Sequence, residues 1–176
     1  MTMKNLLIII CVLFAGSPLF AQENEYIGAA KCKMCHNKPE TGKQYDIWKA
    51  SGHAKAFETL KGAEAIKIGQ AKGIADPSKD QKCLKCHSTY HSVKADAIET
   101  LTATEGVSCE SCHGPGSLYK VATIMKDQKA AMAKGLVMPT EATCKKCHNP
   151  ESPNFKGFNF KEYAAKIAHN DPTIKK

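Results

Sequence analysis

The chain is short of large rings: aromatic residues are 7 % of its 176 positions, with a single Trp. Aromatic side chains carry much of the apolar area that a small domain buries, so this chain builds only a modest core from its own side chains. It has no G-x-G-x-x-G fingerprint, no P-loop and no Ser-His-Asp arrangement, which removes the common nucleotide-binding and hydrolase readings. Beyond residue 21 no apolar run is long enough to cross a bilayer, so the body of the chain does not read as an integral membrane protein. Charged residues are 24 % and apolar residues 43 %, which excludes both a disordered tail and a membrane bundle. What the chain does have is a formal charge of +8 and nine cysteines. Basic excess ordinarily points to nucleic acid, an anionic membrane or an acidic protein. The cysteine content is high, yet below the range of disulfide scaffolds.

One cysteine is set apart by its neighbours. Lys4 precedes an apolar run from Leu6 to Phe14, and Gly16, Ser17 and Pro18 break that run before Ala21. A positive start, a short apolar stretch and a small residue for cleavage form the pattern of a secretory signal peptide, assigned to 1–21. Leu19, three positions before the cut, is not small, so the exact cleavage site is not fixed by the pattern. Cys11 lies inside the apolar run and is removed with it. Cleavage after Ala21 takes 21 of 176 residues and leaves 155, which form one domain, 22–176. The expected location is the periplasm or another exported compartment, in soluble form.

The eight remaining cysteines repeat one unit four times: Cys32-Lys33-Met34-Cys35-His36, Cys83-Leu84-Lys85-Cys86-His87, Cys109-Glu110-Ser111-Cys112-His113 and Cys144-Lys145-Lys146-Cys147-His148. C-x-x-C-H is the attachment signature of c-type haem. Two thiols on one turn reach the two vinyl-derived carbons of a porphyrin edge, and the following His binds the iron. Zinc ribbons use C-x-x-C pairs without needing a His after each. A thioredoxin-like redox pair would occur once, within an α/β pattern that is absent here. The expected cofactors are four covalently attached haems. That density, about 39 residues per haem, makes porphyrins a large part of the core and offsets the shortage of aromatics.

Seven histidines cannot close both faces of four irons. His36, His87, His113 and His148 are proximal ligands, and His53, His91 and His169 remain. His53 falls on a predicted helix over about 42–61, with Thr41 and Gln44 as a capping box and Tyr45, Ala56, Phe57 and Leu60 on its face. His169 ends a predicted helix over 159–169, capped by Asn159 and Glu162 and striped by Phe160, Tyr163, Ala164 and Ile167. Both are read as distal iron ligands. His91 follows His87 by four residues and is poorly placed for the far side of the same haem. Met125 lies on a predicted helix over 117–134 beside Leu118, Val121, Ala122 and Met132; its thioether is the other candidate, and Met138 a weaker one.

A further helix is expected over 63–71, and a short strand pair within 88–108, where Thr89, Val93, Ile98, Thr100, Leu101, Thr102 and Thr104 fall. Loops are expected at Gly73, Pro77, Gly114, Pro115, Gly116, Pro139, Pro150 and Pro153. The motifs begin at residues 32, 83, 109 and 144, too irregular for a solenoid. The fold class is therefore mainly α: helices and loops wrapped around four covalent haems, with little or no sheet.

Residues around the motifs carry a resemblance. Tyr26-Ile27-Gly28 precedes the first motif, and Trp48-Lys49-Ala50-Ser51-Gly52-His53-Ala54-Lys55-Ala56-Phe57 follows it. Asp76-Pro77-Ser78-Lys79-Asp80 precedes the second, and Gly106-Val107-Ser108 with Gly114-Pro115-Gly116 frames the third. Over about 26–169 the chain resembles the tetrahaem cytochrome c-554 family of ammonia-oxidising bacteria. The resemblance implies a mainly helical protein around closely packed haem pairs, with three bis-histidine haems and one five-coordinate, high-spin haem. It also implies a role in accepting electrons from hydroxylamine oxidoreductase and passing them on, with nitric oxide reduction proposed for the open haem. His53 matches the family histidine after the first motif, and His169 the one ending the last helix. A third family histidine, shortly beyond Gly-Pro-Gly, has no counterpart: 117–128 contains no His.

The functional expectation is an electron-transfer protein that is not itself an enzyme, working between redox proteins with acidic docking patches and not with nucleic acid. The alternatives are reduction of a small nitrogen compound such as nitric oxide at an iron lacking a protein sixth ligand, and a haem module of a larger redox assembly. The charge fits this reading. Loss of Lys4 leaves +7 on the mature chain. Four haems bring about eight propionates and, when ferric, about one positive charge per iron, so the basic excess answers first to the cofactors.

Overall fold

The computed structural model describes residues 23–173. The signal-peptide segment lies outside the described residues. Within them the chain forms eleven short α-helices: α1 Ala29–His36, α2 Gln44–Ala50, α3 Ala56–Thr59, α4 Ala63–Ala71, α5 Gln81–His87, α6 Thr89–Ser92, α7 Cys109–His113, α8 Ala122–Met125, α9 Gln128–Ala133, α10 Glu141–Lys145 and α11 Phe160–Ile167. Three 3₁₀ turns, at Pro39–Thr41, Ala95–Ala97 and Ala103–Glu105, join them. The longest helix, α4, has nine residues, well under the roughly 12–15 at which a helix becomes even marginal alone in water. These helices therefore depend on caps and on what they pack against.

The caps are mostly local and polar. Asp80 accepts from Lys82 N at 2.8 Å to open α5, and Ser108 accepts from Glu110 N at 3.3 Å to open α7. Asp127 accepts from Lys129 N and Ala130 N at 2.9 and 3.1 Å to open α9, and Asn159 accepts from Glu162 N at 3.2 Å to open α11. Each side chain satisfies first-turn N–H groups that have no partner within the helix. The cap of α1 comes from far along the chain: Ala29 N donates to Glu105 Oε2 at 2.8 Å.

The mainly α expectation with little or no sheet holds; among the described residues there is no strand, only an isolated bridge between Tyr26 and Ile98. The strand pair expected within 88–108 does not form. Its hydroxyl side chains satisfy nearby groups instead and turn the segment: Ser108 N donates to Thr89 Oγ1 at 2.8 Å, and Thr102 with Glu105 closes a capping box around one 3₁₀ turn. The helix expected over 63–71 is α4. The one expected over 42–61 is divided into α2 and α3, because Ser51 is extended and both its N–H and its Oγ bond to Trp48 O, at 2.9 and 2.7 Å. The Thr41–Gln44 capping box is not made either, since Thr41 Oγ1 donates to Lys38 O. The helix expected over 117–134 is likewise two helices, parted where Asp127 caps the second, and Val121 and Met132 are about half exposed rather than on one buried stripe. The last helix stops at Ile167, so His169 lies just beyond it.

The apolar core is thin. Phe57, Leu60 and Leu84 pack as one cluster against Cys83. The largest side chains that are fully buried are polar: Glu110, Thr89, Ser88 and Ser108. Glu110 takes three backbone N–H bonds, from Ile27 at 2.9 Å, Gly28 at 2.8 Å and Gly116 at 2.8 Å. It thereby ties the segment before α1 and the loop after α7 to the middle of α7. Burial raises its pKa, with those three bonds working against the rise. Replacing the carboxylate by an amide turns an NH₂ donor toward backbone donors. Glu110→Gln is expected to lower holoprotein stability by about 1–3 kcal/mol, read as a fall in the urea midpoint by far-UV circular dichroism; an unchanged midpoint would show that Glu110 is no anchor.

Candidate haem-binding site

Each Cys-x-x-Cys-His unit lies on or at the end of a helix. The first three span α1, α5 and α7, and the fourth begins in α10 and runs into the turn after it. The motif thiols come close to one another in a definite order. The Cys32 and Cys109 thiols are neighbours, as are those of Cys86 and Cys147. Cys112 lies within electrostatic reach of Cys144 and Cys147. An ion pair between Lys85 and Glu151 also joins the second motif to the loop after the fourth. The attachment points therefore run first, third, fourth, second. The neighbouring Cys32 and burial push the Cys109 thiol up, and burial raises Cys147 to about 12.

The histidines are paired. His53 and His148 have ring centroids 6.0 Å apart and planes 69° apart; His113 and His169 have centroids 6.0 Å apart and planes 77° apart. An iron–imidazole bond of about 2 Å on each side, plus the ring radii, requires roughly this separation for two imidazoles on one metal atom. His53 and His169 were expected as distal ligands from scarcity and resemblance, and the fold sets each opposite a motif histidine. Among the described residues neither His36 nor His87 has an imidazole at comparable distance. The His91 ring packs edge-on against Tyr90 at 5.0 Å, and its carbonyl accepts from Gln81 Nε2 at 2.7 Å. Met125 lies on α8, which packs against α9.

Backbone carbonyls orient these rings. Nδ1 of His87 donates to Ala56 O at 2.8 Å, Nδ1 of His113 to Val137 O at 3.1 Å and Nδ1 of His169 to Ile167 O at 2.8 Å. A carbonyl can only accept, so each ring keeps its proton on Nδ1 and leaves the Nε2 lone pair for a metal. Burial holds the pKa values of His53, His113 and His148 below the usual histidine range, aided at His53 by its neighbour His148. A neutral ring is the form that binds iron. His148 is held from the side by Phe158, stacked at 5.1 Å, and by Tyr163 at 5.8 Å, next to a cavity of about 180 Å³ that Cys147 and Tyr163 also line.

Sequence reasoning missed the residues that hold these ligands in place. Val107 N donates to His53 O at 2.9 Å, and Val107 O accepts from Trp48 Nε1 at 2.9 Å. Gly106 sits in the left-handed region at φ +69°, where a Cβ would come within 2.6 Å of His53 O. The segment before the third motif thus fixes the backbone of His53. Gly114 plays the matching part behind His113: its φ is +76°, a Cβ there would meet Gly135 O at 2.8 Å, and Val137 N donates to His113 O at 2.9 Å. In the sequence Gly114 was read as a loop residue, and Gly106 entered only through the resemblance around the third motif.

The donor set fits haem better than a bare ion. Among the described residues no three His, Cys, Asp or Glu side chains converge on a metal position, whereas opposed imidazoles need only a porphyrin to complete six ligands. Among the described residues two buried side-chain oxygens, Asn37 Oδ1 just after His36 and Gln44 Oε1 at the start of α2, accept no hydrogen bond.

Helical fold, thiol spacing and opposed imidazoles define a c-type cytochrome with covalently bound haem. The family model described as cytochrome c554 and c-prime matches residues 31–114. Cytochrome c-554 of Nitrosomonas europaea is 32 % identical over 163 residues, covering 82 % of this chain and 66 % of that protein, so the chain spans just under two thirds of its relative's length. The chain belongs to the cytochrome c-554 family. No solved structure gives a significant match. Among the described residues no helix is long and apolar enough to cross a membrane.

Gly106→Ala is expected to cost about 1–2 kcal/mol through left-handed strain and the clash with His53 O. A urea titration of the holoprotein checks it; an unchanged midpoint would mean that the strand of chain behind His53 yields freely.

Proposed function

We propose that this chain is an exported tetrahaem electron carrier, active in the periplasm or an equivalent compartment after loss of residues 1–21. The observation that carries the reading is the pairing of His53 with His148 and of His113 with His169. When bound, haem supplies a one-electron redox centre. Cys32/Cys35, Cys83/Cys86, Cys109/Cys112 and Cys144/Cys147 fasten one haem each, and His36, His87, His113 and His148 are the proximal ligands. His53 and His169 take the sixth positions opposite His148 and His113. Imidazoles on both faces close those irons to substrate, so these two sites pass electrons and bind nothing else. The neighbouring thiols set the four attachment edges side by side, which favours short transfer steps along the order first, third, fourth, second. Lysines at exposed positions such as Lys33, Lys49 and Lys82 suit docking on acidic patches of redox partners.

A second reading has its own support. His87 has no imidazole opposite it, and its ring is oriented by Ala56 O. An iron held by this residue alone could take a small nitrogen compound such as nitric oxide.

Intact mass of the exported protein is expected to show about four covalent haem additions, and replacement of Cys144 and Cys147 by Ser to remove one; fewer than four in the unaltered protein overturns the tetrahaem reading. His53→Ala and His169→Ala are each expected to convert one low-spin haem to high-spin with the other haems unchanged, read by electron paramagnetic resonance. Unaltered low-spin signals in both variants would refute the pairing.

A further inference from the structure

We propose that this chain leaves two of its haems, not one, without a protein sixth ligand: those fastened by Cys32/Cys35/His36 and by Cys83/Cys86/His87, the two ends of the attachment order. Each would accept a small π-acceptor diatomic molecule, nitric oxide or carbon monoxide, when its iron is ferrous. The inference rests on the pairing reading above and extends it.

His53 is committed to His148 and His169 to His113, each at a ring separation of 6.0 Å. His169 cannot serve a second iron, because its other nitrogen is bonded to Ile167 O at 2.8 Å. One histidine is then left, His91, for two haems. It follows His87 closely, across Ser88 and on α6, and α6 packs against α5, the helix that carries His87. Its ring lies against Tyr90, and Gln81 of α5 donates to its carbonyl. Among the described residues the His91 ring meets Tyr90 and no other histidine ring.

The other candidate donor is a thioether, which the Met125 variant below tests. Met125 rides on α8, whose main neighbour is α9. His36 rides on α1, which packs against α2 and α7. The segment 117–128 offers no imidazole.

The placement has a chemical consequence. The third and fourth motifs occupy the middle of the attachment order, and they are the two with opposed imidazoles. Ligand-binding irons then stand at both ends of a closed, two-haem conduit. A molecule bound at one end draws on an electron delivered at the other, without exposing the middle irons to the same ligand.

The test uses the purified, fully haem-loaded protein. Electron paramagnetic resonance of the ferric form is expected to integrate to about two high-spin and two low-spin haems. Titration of the dithionite-reduced form with carbon monoxide is expected to saturate near two equivalents per chain. Met125→Ala and His91→Ala are expected to leave both counts unchanged. Three low-spin haems with one equivalent of carbon monoxide overturns the proposal, as does gain of a high-spin haem in either variant. The pairing reading is judged separately by His53→Ala and His169→Ala. If each of those loses one low-spin haem while the unaltered protein starts from three, the pairing stands and the second open haem is refuted. If neither changes the count, the pairing fails and the proposal with it.

Discussion

The architecture turns on how an imidazole is held opposite another at the distance of a single metal atom. A histidine ring alone has two nitrogens and two rotatable bonds, so a distal ligand needs its backbone fixed and its tautomer chosen. At His53 the backbone is fixed by Val107 N and by the close approach of Gly106. At His169 the tautomer is chosen by Ile167 O. At His113 the segment around Val137 does both. At His53 and His113 the partner is a backbone group of a distant loop, whereas at His169 it is the carbonyl that ends α11.

Those elements could not keep their places through helix formation alone. Helices of four to nine residues lose more in nucleation than they recover from their own hydrogen bonds. The fold compensates with directed polar contacts. Glu110 gathers three N–H groups from two distant segments, Glu105 caps α1, and Thr89 receives Ser108 N. Buried polar groups of this kind are specific, because leaving any one unpaired is costly. That explains why the most deeply buried side chains are polar and why a chain so poor in aromatics still holds a definite shape. Covalent cofactors complete the interior that side chains leave thin.

Particular residues show how far the sequence could be read. The four Cys-x-x-Cys-His units announced their chemistry because thiol and imidazole must sit on one turn to meet one porphyrin, and such a constraint is local. α4 was legible for a similar reason, since helix formers fill most of the span between Gly62 and Gly73, with Gly69 the exception. The segment 42–61 was misjudged because Ser51, a hydroxyl residue that any helix tolerates, here ends one by bonding to Trp48 O. The region 88–108 was misjudged because Thr and Val read as strand formers while their hydroxyls and neighbours make turns. Glu110 was visible as a residue between two cysteines, yet nothing in its neighbours reveals that Ile27, Gly28 and Gly116 point their N–H groups at it.

The sequence by itself determined the c-type haem chemistry and set four histidines directly after Cys-x-x-Cys pairs, with three others elsewhere. These follow from residue types and spacing over a few positions, where covalent geometry leaves little choice. Only the tertiary structure decided which histidine faces which: His53 to His148 across 95 residues of chain, His169 to His113 across 56. Pairings at that separation are not encoded by any local pattern. They arise from loops clamped by buried hydrogen bonds, and a hydrogen bond between distant backbone groups is invisible until the chain has folded.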